Sequence, residues 1–123
     1  MAVVLDANAV LRYVLEDVQD QADEVAAAVM RGAEVTVEVI AECVYVLEGV
    51  YEVPRSLIAE SLGLLLDEVG CRRKRVAATA LGFYRAGSFD FVDCVLAAAK
   101  EVEGAEVLTF DKKLRRLLAQ VGE

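Results

Sequence analysis

The chain has 123 residues, 21 acids against 13 bases and no histidine, for a formal net charge of −8. A chain of this length buries about two thirds of the surface its unfolded form would expose, so one domain over residues 1–123, folding without staples, is expected. With no imidazole, a Ser-His-Asp triad, a Cys-His pair, a histidine-bound zinc and histidine-based RNA cleavage are all excluded, and carboxylates or lysines must carry any chemistry.

In chain order, Ala2 to Leu5 is a short apolar run of the kind found in a strand covered on both faces, and Asp6-Ala7-Asn8 breaks it before the helical spacing of Val10, Leu11, Val14 and Leu15. Gln19 to Arg31 reads as a second helix ended by Gly32. Ala33 to Val37 reads as a second strand leading into a helix over Val39 to Tyr51. Pro54 suits the first turn of a helix over 54–69 that Gly70 ends, and residues 74–86 form another closed by Gly87. Ser88-Phe89-Asp90 introduces the helix Phe91 to Val102, ended by Gly104; Glu106 to Phe110 is a third strand, and Asp111 starts a last helix, Lys112 to Ala119. Strands alternating with helices predict an α/β fold with a short parallel sheet flanked by helices.

No apolar run approaches the roughly 20 residues that span a membrane, and Met1-Ala2-Val3 opens on a strand without a basic leader. The cytoplasm is the expected location. Cys43, Cys71 and Cys94 are odd in number and form no CxxC, which argues for reduced thiols over disulfides or a cysteine zinc site.

The net charge conceals an asymmetry. Residues 1–70 hold 14 acids and 3 bases, net −11, whereas residues 71–123 hold 7 acids and 10 bases, net +3. Arg72, Arg73, Lys74 and Arg75, with Lys112, Lys113, Arg115 and Arg116, form two basic runs. They are candidate phosphate contacts; the alternative is two solvated helix ends.

Four acids stand where strands end or in apolar helices: Asp6, Glu42, Asp93 and Asp111. In open parallel sheets ligands bind beyond the carboxyl ends of strands, where the following helices point their N-termini. Oxygen ligands of this kind suit Mg²⁺ or Mn²⁺. Asp6 and Asp111 are equally good helix caps, and Asp90 reads as the cap of the helix that carries Asp93. Glu42 is mid-helix between Val39 and Val46, where capping explains nothing. Asn8 and Thr109 are the polar neighbours, suited either to supporting a site or to satisfying nearby backbone.

The segments VVLDANAVLRYVLED, IAECVYVLEGVY, GSFDFVDCVLAAA and VLTFDKKL together resemble the PIN-domain family of metal-dependent ribonucleases, and within it the toxins of bacterial and archaeal toxin–antitoxin pairs. The resemblance spans nearly the whole chain. It implies a three-layer α/β/α fold, in which Asp6, Glu42, Asp93 and Asp111 match the acidic quartet, Asn8 the neighbour of the first acid, and Thr109 the small polar residue before the last. It implies Mg²⁺- or Mn²⁺-dependent hydrolysis of RNA, a homodimer and a small cognate antitoxin. One departure stands out: the family's sheet usually gains a strand after the last helix, while here Gln120-Val121-Gly122-Glu123 follows it. Competing expectations are a housekeeping RNA-processing nuclease, an inert PIN-like binding module, and an aspartyl-phosphate hydrolase or receiver. The hydrolase pattern wants a second acid where this chain has Asn8.

Overall fold

The computed structural model describes residues 3–121. They form seven helices: α1 (Ala7–Leu15), α2 (Gln19–Met30), α3 (Val37–Gly49), α4 (Arg55–Glu68), α5 (Lys74–Ala86), α6 (Phe91–Glu103) and α7 (Lys112–Ala119). The expected helices all form, each within two residues of its sequence-predicted start. The chain divides into two compact units, Met1–Lys74 and Arg75–Glu123.

In the first unit α1 packs on α2, α3 and α4, and α3 on α4. The cause is spacing: Ile40, Cys43, Val44 and Leu47 fall on one face of α3, and Ile58, Leu62, Leu65 and Leu66 on one face of α4, all buried. Each such large aliphatic side chain contributes roughly 1.5–3 kcal/mol by leaving water. Thr36 fixes the start of α3, its Oγ1 accepting from Val39 N at 3.1 Å, which is why that helix begins two residues before Val39.

The expected strands are reduced to two isolated parallel bridges among the described residues, Val4 with Glu34 and Glu34 with Gly70. Glu34 N donates to Val3 O (2.7 Å) and Leu5 N to Glu34 O (2.8 Å) on one side; on the other, Gly70 N donates to Ala33 O (3.0 Å) and Val35 N to Gly70 O (2.8 Å). Ala2, in the first expected strand, lies outside the described residues. Two corrections follow. Gly70 does not cap α4 in a left-handed turn but pairs with the Ala33–Val35 segment, which approaches so closely that a β-carbon at Gly70 would lie 3.0 Å from Glu34 Cγ. The expected third strand, Glu106 to Phe110, has no ladder: its residues alternate between half-buried and exposed, and Leu108 and Phe110 are 86% and 84% exposed. A strand is regular only when another pairs with it, and the three paired segments all belong to the first unit.

In the second unit α6 packs on α7. Ala97, Leu114, Leu117, Leu118 and Val121 form a buried cluster, with Phe83, Phe89, Leu96 and Val107 packed against it. Tyr84 and Phe91 meet edge to face, centroids 5.9 Å apart. Gly104, at φ +69, ends α6 in the left-handed conformation that costs a glycine least.

The close approach at Gly70 sets a test. Gly70→Val is expected to destabilise the protein by about 1–3 kcal/mol through overpacking, and Glu34→Ala, which removes the obstructing side chain, should recover part of that loss in a double-mutant denaturation cycle.

Candidate active site

Each candidate acid has a local structural reason for its position. Asp6 is the N-cap of α1: its backbone is extended and its Oδ1 accepts from Ala9 N at 2.8 Å. Asp111 is the N-cap of α7, its Oδ1 accepting from Lys113 N (2.8 Å) and Leu114 N (3.1 Å). Thr109 supports it from below, its Oγ1 accepting from Asp111 N at 3.0 Å. In both caps only Oδ1 is used, and Oδ2 has no hydrogen bond among the described residues. Capping and ligation are therefore compatible. The cap fixes the rotamer and leaves one oxygen for a cation.

Asp90 occupies the N-cap position of α6 but makes no capping hydrogen bond with its side chain, and Asp93 lies in the first turn. Glu42 projects from the middle of α3 and is exposed, as are Asp6, Asn8 and Asp111, while Asp93 and Thr109 are half-buried.

Electrostatics show which of these groups neighbour one another. In the first unit, Cys43 is buried on α3 and its Sγ donates to Ala7 O at 3.8 Å. Its thiol is pushed up to about 12 by burial first, then by the negative charges of Glu42 and Asp6. Asp6 and Glu42 thus act on one thiol. In the second unit, Asp93 is raised above the usual carboxylate value by burial first, then by Asp90 and Asp111, while Lys113 acts in the opposite sense. That lysine is fixed by donating from Nζ to Ser88 O (3.0 Å) and by lying over the Phe89 ring, 5.2 Å from its centroid.

The sequence alone places Lys113 only in a basic run and Cys43 only among the reduced thiols. The structure makes the first a resident counter-charge of the Asp93 group and the second the buried neighbour of Asp6 and Glu42. The signals available were that Cys43 directly follows Glu42 and that Lys113 lies two residues after Asp111.

Among the described residues no group of three or more His, Cys, Asp or Glu side chains is assembled into a metal cage. The donor chemistry nevertheless fits a hard divalent cation: every candidate ligand is a carboxylate, and in each unit acids crowd closely enough to raise a neighbour's pKa.

The basic runs occupy an electrostatically unfavourable place. Arg72 and Arg73 precede α5, Lys74 and Arg75 open it, and Lys112 and Lys113 open α7; all are exposed, as are Arg115 and Arg116. The positive end of a helix dipole disfavours a cation by up to about 1 kcal/mol. Anions are welcome at the same place. Arg115 is partly committed, its Nε donating to Thr109 O at 3.0 Å.

The raised Asp93 pKa gives a signed expectation. The folded state favours the neutral acid, so the stability this group contributes is full below the unfolded carboxyl pKa, 3.8, and is lost as pH rises through the folded value. Asp93→Asn should therefore raise the melting temperature at neutral pH. The gain should vanish in acid, as thermal melts across pH will show.

The family model of the PIN domain matches residues 3–118. No curated protein and no solved structure matches the chain significantly. PIN domains are generally nuclease modules that use divalent metal ions, which agrees with a donor set made of carboxylates alone. With nearly its whole length matched, the chain belongs to the PIN-domain family.

Proposed function

We propose that the protein is a Mg²⁺- or Mn²⁺-dependent endoribonuclease, the toxin of a toxin–antitoxin pair, with Asp6, Glu42, Asp93 and Asp111 as its catalytic carboxylates. The observation that carries this reading is the division of labour in Asp6 and Asp111, whose Oδ1 atoms hold helix amides while their Oδ2 atoms carry no hydrogen bond among the described residues. The single-domain, three-layer α/β/α organisation of the family and a homodimer belong to the same proposal.

Asp6, Asp93 and Asp111 would hold the cation, Glu42 would either join them or take the proton of the attacking water, and Asn8 and Thr109 would support the first and last acids. When bound, the ion acidifies water and neutralises charge on the phosphate oxygens. The two basic runs bind the RNA backbone through its phosphates, releasing counterions as they do so. An antitoxin arginine pairing with the acids would inhibit by competing with the cation.

Incubating RNA with the pure protein and Mn²⁺ or Mg²⁺ tests the reading, with cleavage expected and EDTA expected to abolish it. Asp6→Asn is the informative variant. Asparagine caps a helix as well as aspartate, so the melting temperature should hold while activity falls at least about tenfold from the lost ligand charge. Equal cleavage by that variant would make Asp6 a cap only. EDTA-resistant cleavage would rule out the cation.

Replacing Arg72, Arg73, Lys74 and Arg75 with glutamine, and separately Lys112, Lys113, Arg115 and Arg116, is expected to weaken RNA binding and flatten its salt dependence, since each phosphate contact releases counterions. Co-expression with a small adjacent reading frame, scored by complex formation and growth, separates a toxin from a housekeeping RNA-processing nuclease.

A further inference from the structure

The segment between α6 and α7 faces two ways. Over residues 105–110 half-buried and exposed positions alternate, the period of an extended chain whose successive side chains point to opposite sides. Val107 is on the inner side, packed against the cluster of Ala97, Leu114, Leu117, Leu118 and Val121. Leu108 and Phe110 are on the outer side and almost fully exposed. One exposed apolar residue is ordinary, but two at i and i+2 form a strip, and such a strip beside candidate functional groups marks a surface that meets something else.

The ring of Phe110 is held in place. Arg115 donates from Nε to Thr109 O at 3.0 Å, and its guanidinium lies over the Phe110 ring, Cζ 5.9 Å from the centroid. That cation takes one face of the ring, and the exposure of the side chain leaves the other open to solvent. Lys112, Lys113, Arg115 and Arg116 follow directly, all exposed, and favour an anionic occupant. An occupant that is anionic and also offers a flat π face is a nucleotide; a protein segment offers the two together only where an aromatic residue adjoins acids.

We propose that Phe110 is a stacking platform for an unpaired nucleobase of the RNA. The inference rests on the RNA-binding part of the nuclease reading and adds to it a residue that grips the substrate through a nucleobase and not through a phosphate. Phe110 directly precedes Asp111, and Asp111 and Lys113 both act on the Asp93 carboxyl, so the stacked nucleotide lies next to the acids of the second unit. A π face is common to all four nucleobases, so the platform selects by pairing state and not by sequence: in a duplex each face is already covered by its neighbours.

The probe is a dye-labelled single-stranded RNA of about 12 nucleotides, with its duplex and an abasic strand of the same length as controls, all in EDTA so that binding is read without cleavage. Phe110→Leu keeps an apolar side chain and removes the aromatic face. It should lower affinity for the single strand at least about fivefold, leave the salt slope as in the parent because no phosphate contact is lost, and melt like the parent because the ring is exposed. The chain contains no tryptophan, so Phe110→Trp supplies a lone fluorophore at the platform. Its emission should be open to acrylamide in the free protein and quenched by the single strand, but not by the abasic strand, which keeps the phosphates. Equal affinity of Phe110→Leu and the parent overturns the proposal. So does an indole shielded from acrylamide before RNA is added, as a covering protein surface would make it, or an abasic strand that quenches equally. Those outcomes leave the nuclease reading standing, whereas a parent that stacks RNA and cleaves none with Mn²⁺ or Mg²⁺ overturns that reading alone.

Discussion

The first amides of a helix have no partner within it, and in α1 and α7 that need is met by aspartate side chains, Asp6 and Asp111. Everything proposed about this protein's chemistry depends on that constraint. A carboxylate recruited to a cap is held in one rotamer by bonds of 2.8 to 3.1 Å and cannot swing away from its neighbours to relieve repulsion. Its second oxygen makes no hydrogen bond among the described residues. Preorganised charge of this kind is what a cation site requires, and the fold obtains it from hydrogen bonds that the helices need in any case.

Repulsion is the counterpart of that rigidity. Burial and acidic neighbours together hold Asp93 above its ordinary pKa and Cys43 at about 12. Lys113 relieves Asp93 only in part, because burial, Asp90 and Asp111 all act against it. The bases show a matching compromise: those at the starts of α5 and α7 stand against the helix dipole, an arrangement that a stability-driven surface would reverse. Acids crowded together and cations at helix N-termini are both mildly unfavourable in the free protein. Each becomes favourable when a ligand of the opposite charge binds, which is why functional sites tolerate them.

The helices were legible in the sequence because their signals are local. Pro54, Gly32 and Gly104 mark ends, and the buried stripe of α3 repeats at the helical period. Pairing of strands is not local, and it is there that sequence and structure part. Gly70 looks like a helix stop but serves as a pairing partner for the Ala33–Val35 segment, a role set by what lies opposite it in space. Glu106 to Phe110 has strand composition without a ladder, since composition states what a segment suits and not whether another segment pairs with it. The candidate acids were singled out by position alone, Asp6 and Asp111 after apolar runs and Glu42 and Asp93 within helices. Their neighbours were not: that Cys43 sits beside both Asp6 and Glu42 requires α1 and α3 to pack, a contact between residues far apart in sequence.

The charge asymmetry of the chain acquires a physical division from these placements. Residues 13–30 and 56–71 carry eight acids and no base, while six of the ten bases after residue 71, Arg72 to Arg75 with Lys112 and Lys113, stand at or just before the starts of α5 and α7. A polyanion is repelled by the first group of side chains and attracted by the second. At a physiological Debye length of about 8 Å a ligand responds to the charges beside it more than to the total of the chain. The net charge of −8 therefore describes neither group of side chains.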